Sequence, residues 1–131
     1  MRKPWRYAAL AAALCCASVA FAQLDLSDFD DDLMRNMDDA TKDLEPAIAA
    51  KNGKAALEDL AILQDGFTQT EAYFAKKGVD DAVGYARDQQ AQALALGQQL
   101  GAKDFDAAAA TARRISKGCK TCHDAYKPLT K

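Results

Sequence analysis

Apolar side chains recur every three or four positions along most of the chain, which is the spacing of one face of an α-helix. No window alternates strictly between apolar and polar residues, as a half-buried strand does. Short breaks divide the helical pattern into four segments. The predicted helices cover about residues 27–51, 54–76, 81–100 and 105–126.

Each segment has one apolar stripe, which we expect to face the core. In chain order the stripes are Phe29, Leu33, Met37, Ala40, Leu44 and Ile48; Leu57, Leu60, Leu63, Phe67 and Phe74; Val83, Ala86, Ala93, Gly97 and Leu100; and Phe105, Ala108, Ala112, Ile115, Cys119, Cys122 and Tyr126. Because proline lacks a backbone N–H, we expect Pro46 to kink or end the first helix near Glu45. Pro128 is expected to stop the fourth helix.

Capping residues predict where three of the helices begin. Ser27 and Asp30 resemble a capping box at the start of the first helix. Asp80 or Asp81 is expected to cap the third helix, and Asp104 the fourth. These short polar side chains accept hydrogen bonds from the backbone N–H groups that a helix leaves unsatisfied in its first turn.

Breaks of only a few residues place successive helices side by side and antiparallel. The chain has 131 residues, which is the size of a single domain. The predicted fold is therefore all-α, an antiparallel up-down-up-down four-helix bundle. Its stripes are rich in alanine, which buries little apolar area, so a large apolar cofactor would add to a thin core.

The N-terminal stretch has the pattern of a secretory signal peptide. Arg2, Lys3 and Arg6 precede an uncharged apolar run at 7–20, and an A-x-A cleavage pattern follows at 20–22. The apolar run is too short for a membrane span, and polar sequence follows it at once. We therefore expect export to the periplasm of a Gram-negative bacterium, with no stable membrane insertion after cleavage.

Cleavage of residues 1–22 would leave a mature domain at 23–131. Of the 17 Lys and Arg residues, three leave with the signal peptide, so 14 remain against 19 Asp and Glu and the formal charge is −5. That sign disfavours nucleic acid as a partner. Cys15 and Cys16 also leave, so Cys119 and Cys122 are the only cysteines of the mature chain.

The most informative motif is Cys119-Lys120-Thr121-Cys122-His123. C-x-x-C-H is the attachment signal for a c-type haem, whose vinyl groups the two thiols join as thioethers while the histidine ligates the iron. On a helix the three side chains share one face, because they lie three and four positions apart. The motif predicts one covalent haem c per chain, with His123 as the proximal iron ligand.

Other uses of this motif have less support. A zinc site needs four ligands, but the mature chain has only two cysteines and one histidine. A thioredoxin-like pair belongs at a helix N-terminus within a fold that contains strands, whereas this pair ends a predicted helix. A disulfide between Cys119 and Cys122 closes too short a loop to stabilise the chain appreciably.

The mature chain resembles the class II cytochromes c, the family that includes the cytochromes c′. The resemblance rests on the exported four-helix pattern, the C-x-x-C-H at the end of the last helix, and Tyr126 three residues after His123. One branch of that family has a five-coordinate iron and binds small gases such as nitric oxide. In the low-spin branch, a methionine of the first helix is the second axial ligand and the role is electron transfer.

The resemblance places the distal iron ligand at Met34, within Leu33-Met34-Arg35. Met37 is the alternative, because it lies one turn later and nearer the middle of the apolar stripe. With a methionine ligand, the expected function is that of a periplasmic one-electron carrier rather than an enzyme. The expected partners are periplasmic redox proteins, and relatives also form homodimers. A five-coordinate, gas-binding cytochrome c′ is the alternative function.

Overall fold

The computed structural model describes residues 24–126. This part of the chain forms α-helices and no strand, which confirms the predicted all-α class. The expected signal peptide at 1–22 and the helix stop at Pro128 lie outside the described residues. The helices are α1 (Asp31–Ala49), α2 (Gly53–Lys77), α3 (Asp80–Gly101) and α4 (Phe105–Tyr126).

The helices pack as a ring in which each contacts its neighbours in sequence and α1 also contacts α4. Met34, early in α1, meets His123, late in α4, while Glu45, later in α1, meets Ser116, earlier in α4. These two helices therefore run antiparallel. The connections at 50–52, 78–79 and 102–104 are short, as a bundle of sequential neighbours requires.

The core follows the predicted stripes closely. The largest buried side chains include Leu44, Ile48, Leu63 and Ile115. Much of the remaining core consists of buried alanines. None of the helices among residues 24–126 combines the length and apolar character that crossing a membrane requires.

The stripe of α2 was predicted wrongly at one position. Leu57 is 45% exposed, because the neighbouring Ala56, with no exposed surface, occupies the inward-facing position one turn before Leu60. In α3, Leu96 was missed and is fully buried. Both differences arise because an α-helix has 3.6 residues per turn, so adjacent apolar residues compete for the same inward direction.

The predicted start of α1 at Ser27 is wrong. Asp30 is the N-cap, and its Oδ1 accepts hydrogen bonds from the backbone N–H groups of Asp32 at 2.9 Å and Leu33 at 3.0 Å. Residues 24–30 instead form a turn-containing segment before the helix, with Leu26 only 6% exposed. Burying Leu26 draws this segment onto the bundle, so the helix starts later than the spacing alone suggests.

Of the two effects predicted for Pro46, an end to the helix near Glu45 is wrong. The helix continues to Ala49, with Leu44 and Ile48 each 1% exposed on either side of the proline. Proline in a helix interior costs about 3 kcal/mol, and fully burying one leucine or isoleucine side chain contributes about 1.5–3 kcal/mol. Two such side chains offset the cost, and Pro46 itself is exposed on the outer face.

The predicted caps of the later helices are right in one case and wrong in the other. Asp104 caps α4, because its Oδ1 accepts the backbone N–H of Ala107 at 3.0 Å. In α3 the N-cap is Val79, which makes no side-chain capping bond. Asp80 and Asp81 lie in the first turn instead, where their negative charges interact favourably with the positive end of the helix dipole.

Candidate functional site

A cavity of about 690 Å³ lies among all four helices, at the end of the bundle where α1 begins and α4 ends. Pockets for small molecules and cofactors have volumes of about 300–1,000 Å³. The predicted site residues all line this cavity, with Cys119, Cys122 and His123 on α4 and Met34 and Met37 on α1. The fold therefore brings together all the candidate site residues predicted from the sequence.

The C-x-x-C-H residues present one face of α4 to the cavity. Cys119, Cys122 and His123 are half-buried, whereas Lys120 and Thr121 between them are exposed. The spacing of three and four positions produces this separation, because those positions return to the same side of a helix. Both thiols are free in this structure.

Met34, near the start of α1, contacts the histidine at the wall of the cavity. Its Sδ is 3.3 Å from Nε2 of His123, and both side chains are half-buried. A thioether sulfur and an imidazole nitrogen are both iron ligands in c-type cytochromes. The two residues thus face each other from α1 and α4 with their donor atoms pointing inward.

Met37 lies deeper, at the floor of the cavity. It is 5% exposed and packs within the main core cluster. Its thioether fills the space above Gly66 of α2, where any side chain on the glycine would collide with the sulfur. Met37 is therefore a core residue of α1 that packs against α2.

Burial affects the chemistry of the two thiols. It raises the pKa of Cys119 to about 11, with the neighbouring Cys122 adding to the shift, and it also raises the pKa of Cys122. Both groups are therefore thiols rather than thiolates at neutral pH. Redox-active C-x-x-C pairs depend on a lowered thiol pKa, so these surroundings do not favour a thioredoxin-like role.

Polar side chains of two neighbouring helices also contact Cys119. The Nε2 of Gln89, on α3, donates a hydrogen bond to the sulfur at 3.6 Å. Thr41, on α1, contacts the same thiol from the opposite helix. Sequence reasoning missed Gln89, although it occupies the inward-facing position between Ala86 and Ala93 on the α3 stripe, and that place was a usable signal.

Aromatic side chains close the end of the cavity. Phe29 and Phe74 lie 6.5 Å apart between ring centroids, and Phe74 lies 5.3 Å from Tyr126. Phe29, Phe74 and Tyr126 all line the cavity, as does Leu26 from the segment before α1. The wall at this end is apolar and suits a flat apolar ligand.

An ion pair fastens the 24–30 segment over this end. The ammonium of Lys77 lies 2.8 Å from the Asp28 carboxylate and donates to the backbone carbonyl of Asp25 at 2.8 Å. The hydroxyl of Tyr73 donates to the same Asp28 carboxylate at 2.7 Å. The end of α2 thereby holds the segment that carries Leu26 and Phe29 against the cavity.

The mouth of the cavity carries charges of both signs. Arg35 pairs with Asp32 at 2.6 Å, and Lys120 pairs with Asp124 at 2.7 Å. Both cations line the cavity and their side chains are exposed. They are available to exchange partners with carboxylate groups of a ligand at the rim.

The donor set fits a c-type haem better than zinc. Among residues 24–126, no group of three His, Cys, Asp or Glu side chains converges as a metal site of that kind requires. The apolar walls, the two thiols and the facing His123 and Met34 match what a covalently held haem needs. Because Met34 Sδ and His123 Nε2 are in contact, a ring between them requires one side chain to move aside, and methionine has three rotatable bonds for this.

No protein-family model, curated protein or solved structure matches this chain. The interpretation of the site therefore rests on its own residues and their geometry.

Proposed function

We propose that this protein is a periplasmic one-electron carrier. In this proposal Cys119 and Cys122 would hold a c-type haem covalently, and His123 and Met34 would ligate its iron. The observation that carries the proposal is the 3.3 Å approach of Met34 Sδ to His123 Nε2 in a cavity that also contains both thiols. This approach joins the start of α1 to the end of α4, and no local sequence motif requires it.

The residues determine what the bound group can do. The haem supplies an iron that exchanges one electron. Met34 and His123 would both hold the iron, and neither would need to leave when one electron is gained or lost. A thioether ligand raises the reduction potential relative to a second histidine. The apolar wall that includes Leu26 and Phe29 would limit the access of water to the bound group, which also affects the potential.

The proposed family is the class II cytochromes c, in the low-spin branch. The helical bundle and the position of the C-x-x-C-H at the end of α4 support it. Export is proposed from residues 1–22 of the sequence alone. The proposed partners are periplasmic redox proteins.

The deciding experiment is expression with its signal peptide in a bacterium that has a cytochrome c maturation system. We expect one haem per chain that organic extraction does not remove, and a ferrous spectrum that stays low-spin when carbon monoxide is added. A high-spin ferric spectrum with rapid carbon monoxide binding would instead assign the protein to the gas-binding branch. A colourless product with two free thiols would overturn both haem functions.

A further inference from the structure

Gln89 is a buried amide beside the cavity. It is 6% exposed, and the neighbouring positions of its stripe, Ala86 and Ala93, are small and apolar. Its Nε2 donates to the backbone carbonyl of Ile115 at 2.8 Å and to Cys119 Sγ at 3.6 Å. The amide thus links α3 to the last turn of α4 before the C-x-x-C-H motif.

The orientation of this amide follows from its partners. The carbonyl of Ile115 can only accept a hydrogen bond, so the atom of Gln89 that faces it must be the NH₂ group. The second N–H of that group then points to Cys119 Sγ, a weak acceptor. Two acceptors on the same helix therefore fix both the amide and the side of Cys119 that it touches.

Gly118 provides the space that the amide occupies. A Cβ on Gly118 would collide with the Nε2 of Gln89, and its other two nearest contacts are atoms of the same amide. Glycine in a helix interior is otherwise unfavourable, because it loses more backbone conformational freedom on folding than alanine does. Gln89 and Gly118 therefore form a matched pair, one on α3 and one next to the first cysteine of the motif.

A buried amide is a costly choice for this position unless its hydrogen bonds are needed. An apolar side chain of similar length would fill the same space and would not need partners. Packing alone therefore does not explain why an amide contacts Cys119. The contact with the sulfur points to a role in what that sulfur does.

We propose that Gln89 is a positioning residue for haem attachment at Cys119. Its N–H group holds the thiol on the cavity side of α4, where it meets a vinyl group of the porphyrin. The thiol then adds across the vinyl double bond: a C–S bond forms at the vinyl carbon next to the ring, the π bond breaks, and the thiol proton goes to the terminal carbon. This step consumes no oxidant or reductant, and the inference rests on the proposed function.

The role is specific to one of the two thioethers. Among the described residues, the hydrogen bonds of Gln89 reach Ile115 and Cys119 and do not include Cys122. Loss of the amide should therefore leave attachment at Cys122 intact and impair attachment at Cys119. A merely structural role would lower the stability of the bundle and leave both thioethers complete.

The test compares Gln89→Met with Gln90→Met. Methionine keeps the length of the side chain and removes both N–H groups. Gln90 is the matched control, because it is partly buried on the same helix but donates to Glu71 and Phe67 of α2. Both variants and the wild type are expressed with the maturation system, denatured, alkylated with iodoacetamide and mapped by mass spectrometry.

We expect more than half of the haem-bearing Gln89→Met chains to carry an alkylated Cys119, with Cys122 bonded. The pyridine haemochrome band should shift to longer wavelength, because one vinyl group remains conjugated with the ring. Wild type and Gln90→Met should show no free thiol. The ratio is counted only among haem-bearing chains, so a lower yield of folded protein does not affect it. Complete thioethers in Gln89→Met would overturn the proposal.

A second pair of variants tests the same contact from α4. Gly118→Ala should displace the amide and give the same alkylated Cys119, whereas Gly84→Ala should not, since a Cβ at Gly84 meets nothing within 4 Å. Two complete thioethers in Gly118→Ala would contradict the role of the matched pair. Wild-type protein with no covalent haem would instead overturn the proposed function itself, so the two failures are distinguishable.

Discussion

Met34 Sδ and His123 Nε2 lie 3.3 Å apart although 89 positions separate the two residues in the chain. Met37, only one helical turn from Met34, is packed into the core against Gly66 instead. The two methionines of α1 therefore have different environments on the same cavity. Their contrast gives the sharpest tests of the proposed site.

Replacement of Met34 by leucine should change the spectrum of the haem protein. Leucine keeps the apolar volume but offers no sulfur, so the iron should become high-spin and bind carbon monoxide. Met37→Leu is the matched control, and it should keep the low-spin spectrum with a stability loss below about 1.5 kcal/mol. Absorption spectra of both variants with and without carbon monoxide decide the matter. A low-spin Met34→Leu with a high-spin Met37→Leu would reverse the assignment.

Gly66→Ala should destabilise the protein, although alanine normally favours a helix. A Cβ at Gly66 would collide with the Met37 thioether, and such overpacking costs about 1–3 kcal/mol. Gly84→Ala is the control at an exposed helical position, and it should stabilise by about 0.5–1 kcal/mol. Urea unfolding of both variants measures the difference. A gain of stability in Gly66→Ala would show that Met37 is not held where the structure has it.

Pro46→Ala should stabilise the protein by about 2 kcal/mol. The substitution restores a backbone N–H within α1 and removes the ring that crowds the preceding turn, while the unfolded chain gains some freedom. Thermal unfolding of the wild type, Pro46→Ala and Pro46→Gly provides the test. The glycine variant should gain about 1 kcal/mol less than the alanine variant. A loss of stability in Pro46→Ala would mean that the native helix depends on the proline.

Stability should fall in acid because of Asp28. Hydrogen bonds from Lys77 and then from Tyr73 lower the pKa of this carboxyl below 3.8, its value without such partners. A lowered folded-state pKa means that the unfolded state binds more protons in acid. The contribution is therefore present above pH 3.8 and is lost as the pH falls through the lower folded-state value. Asp28→Asn should flatten this part of a plot of urea midpoint against pH.

Lys77 should produce the opposite dependence in base. A hydrogen bond from its ammonium to Asp28 raises the pKa of Lys77 above 10.5, so its contribution is present below that pH and is lost as the pH rises through the folded-state value. Lys77→Met should flatten the basic limb and weaken the acidic limb, because Tyr73 still donates to Asp28. Asp28→Asn should flatten both limbs. An acid limb unchanged in both variants would contradict the role of this ion pair.

The helices themselves could be predicted from the sequence because their apolar spacing is regular. The inward positions Leu44, Ile48, Leu63 and Ile115 were all identified from it. The incorrect predictions concern where helices begin and end, and which of two adjacent apolar residues faces the core. Pro46 remains inside α1 because buried side chains on both sides outweigh a local preference, and the start of α1 shifts to Asp31 because Leu26 finds a place in the bundle.

The sequence by itself determined the helical class and the shared face of Cys119, Cys122 and His123, since both follow from the 3.6-residue period. The family resemblance proposed Met34 or Met37 as the partner of His123. Only the tertiary structure separated the two methionines, because the packing of α1 against both α2 and α4 decides which sulfur is buried beside Gly66 and which faces His123. The same packing brought Gln89 to Cys119, a contact between α3 and α4 that no local pattern specifies.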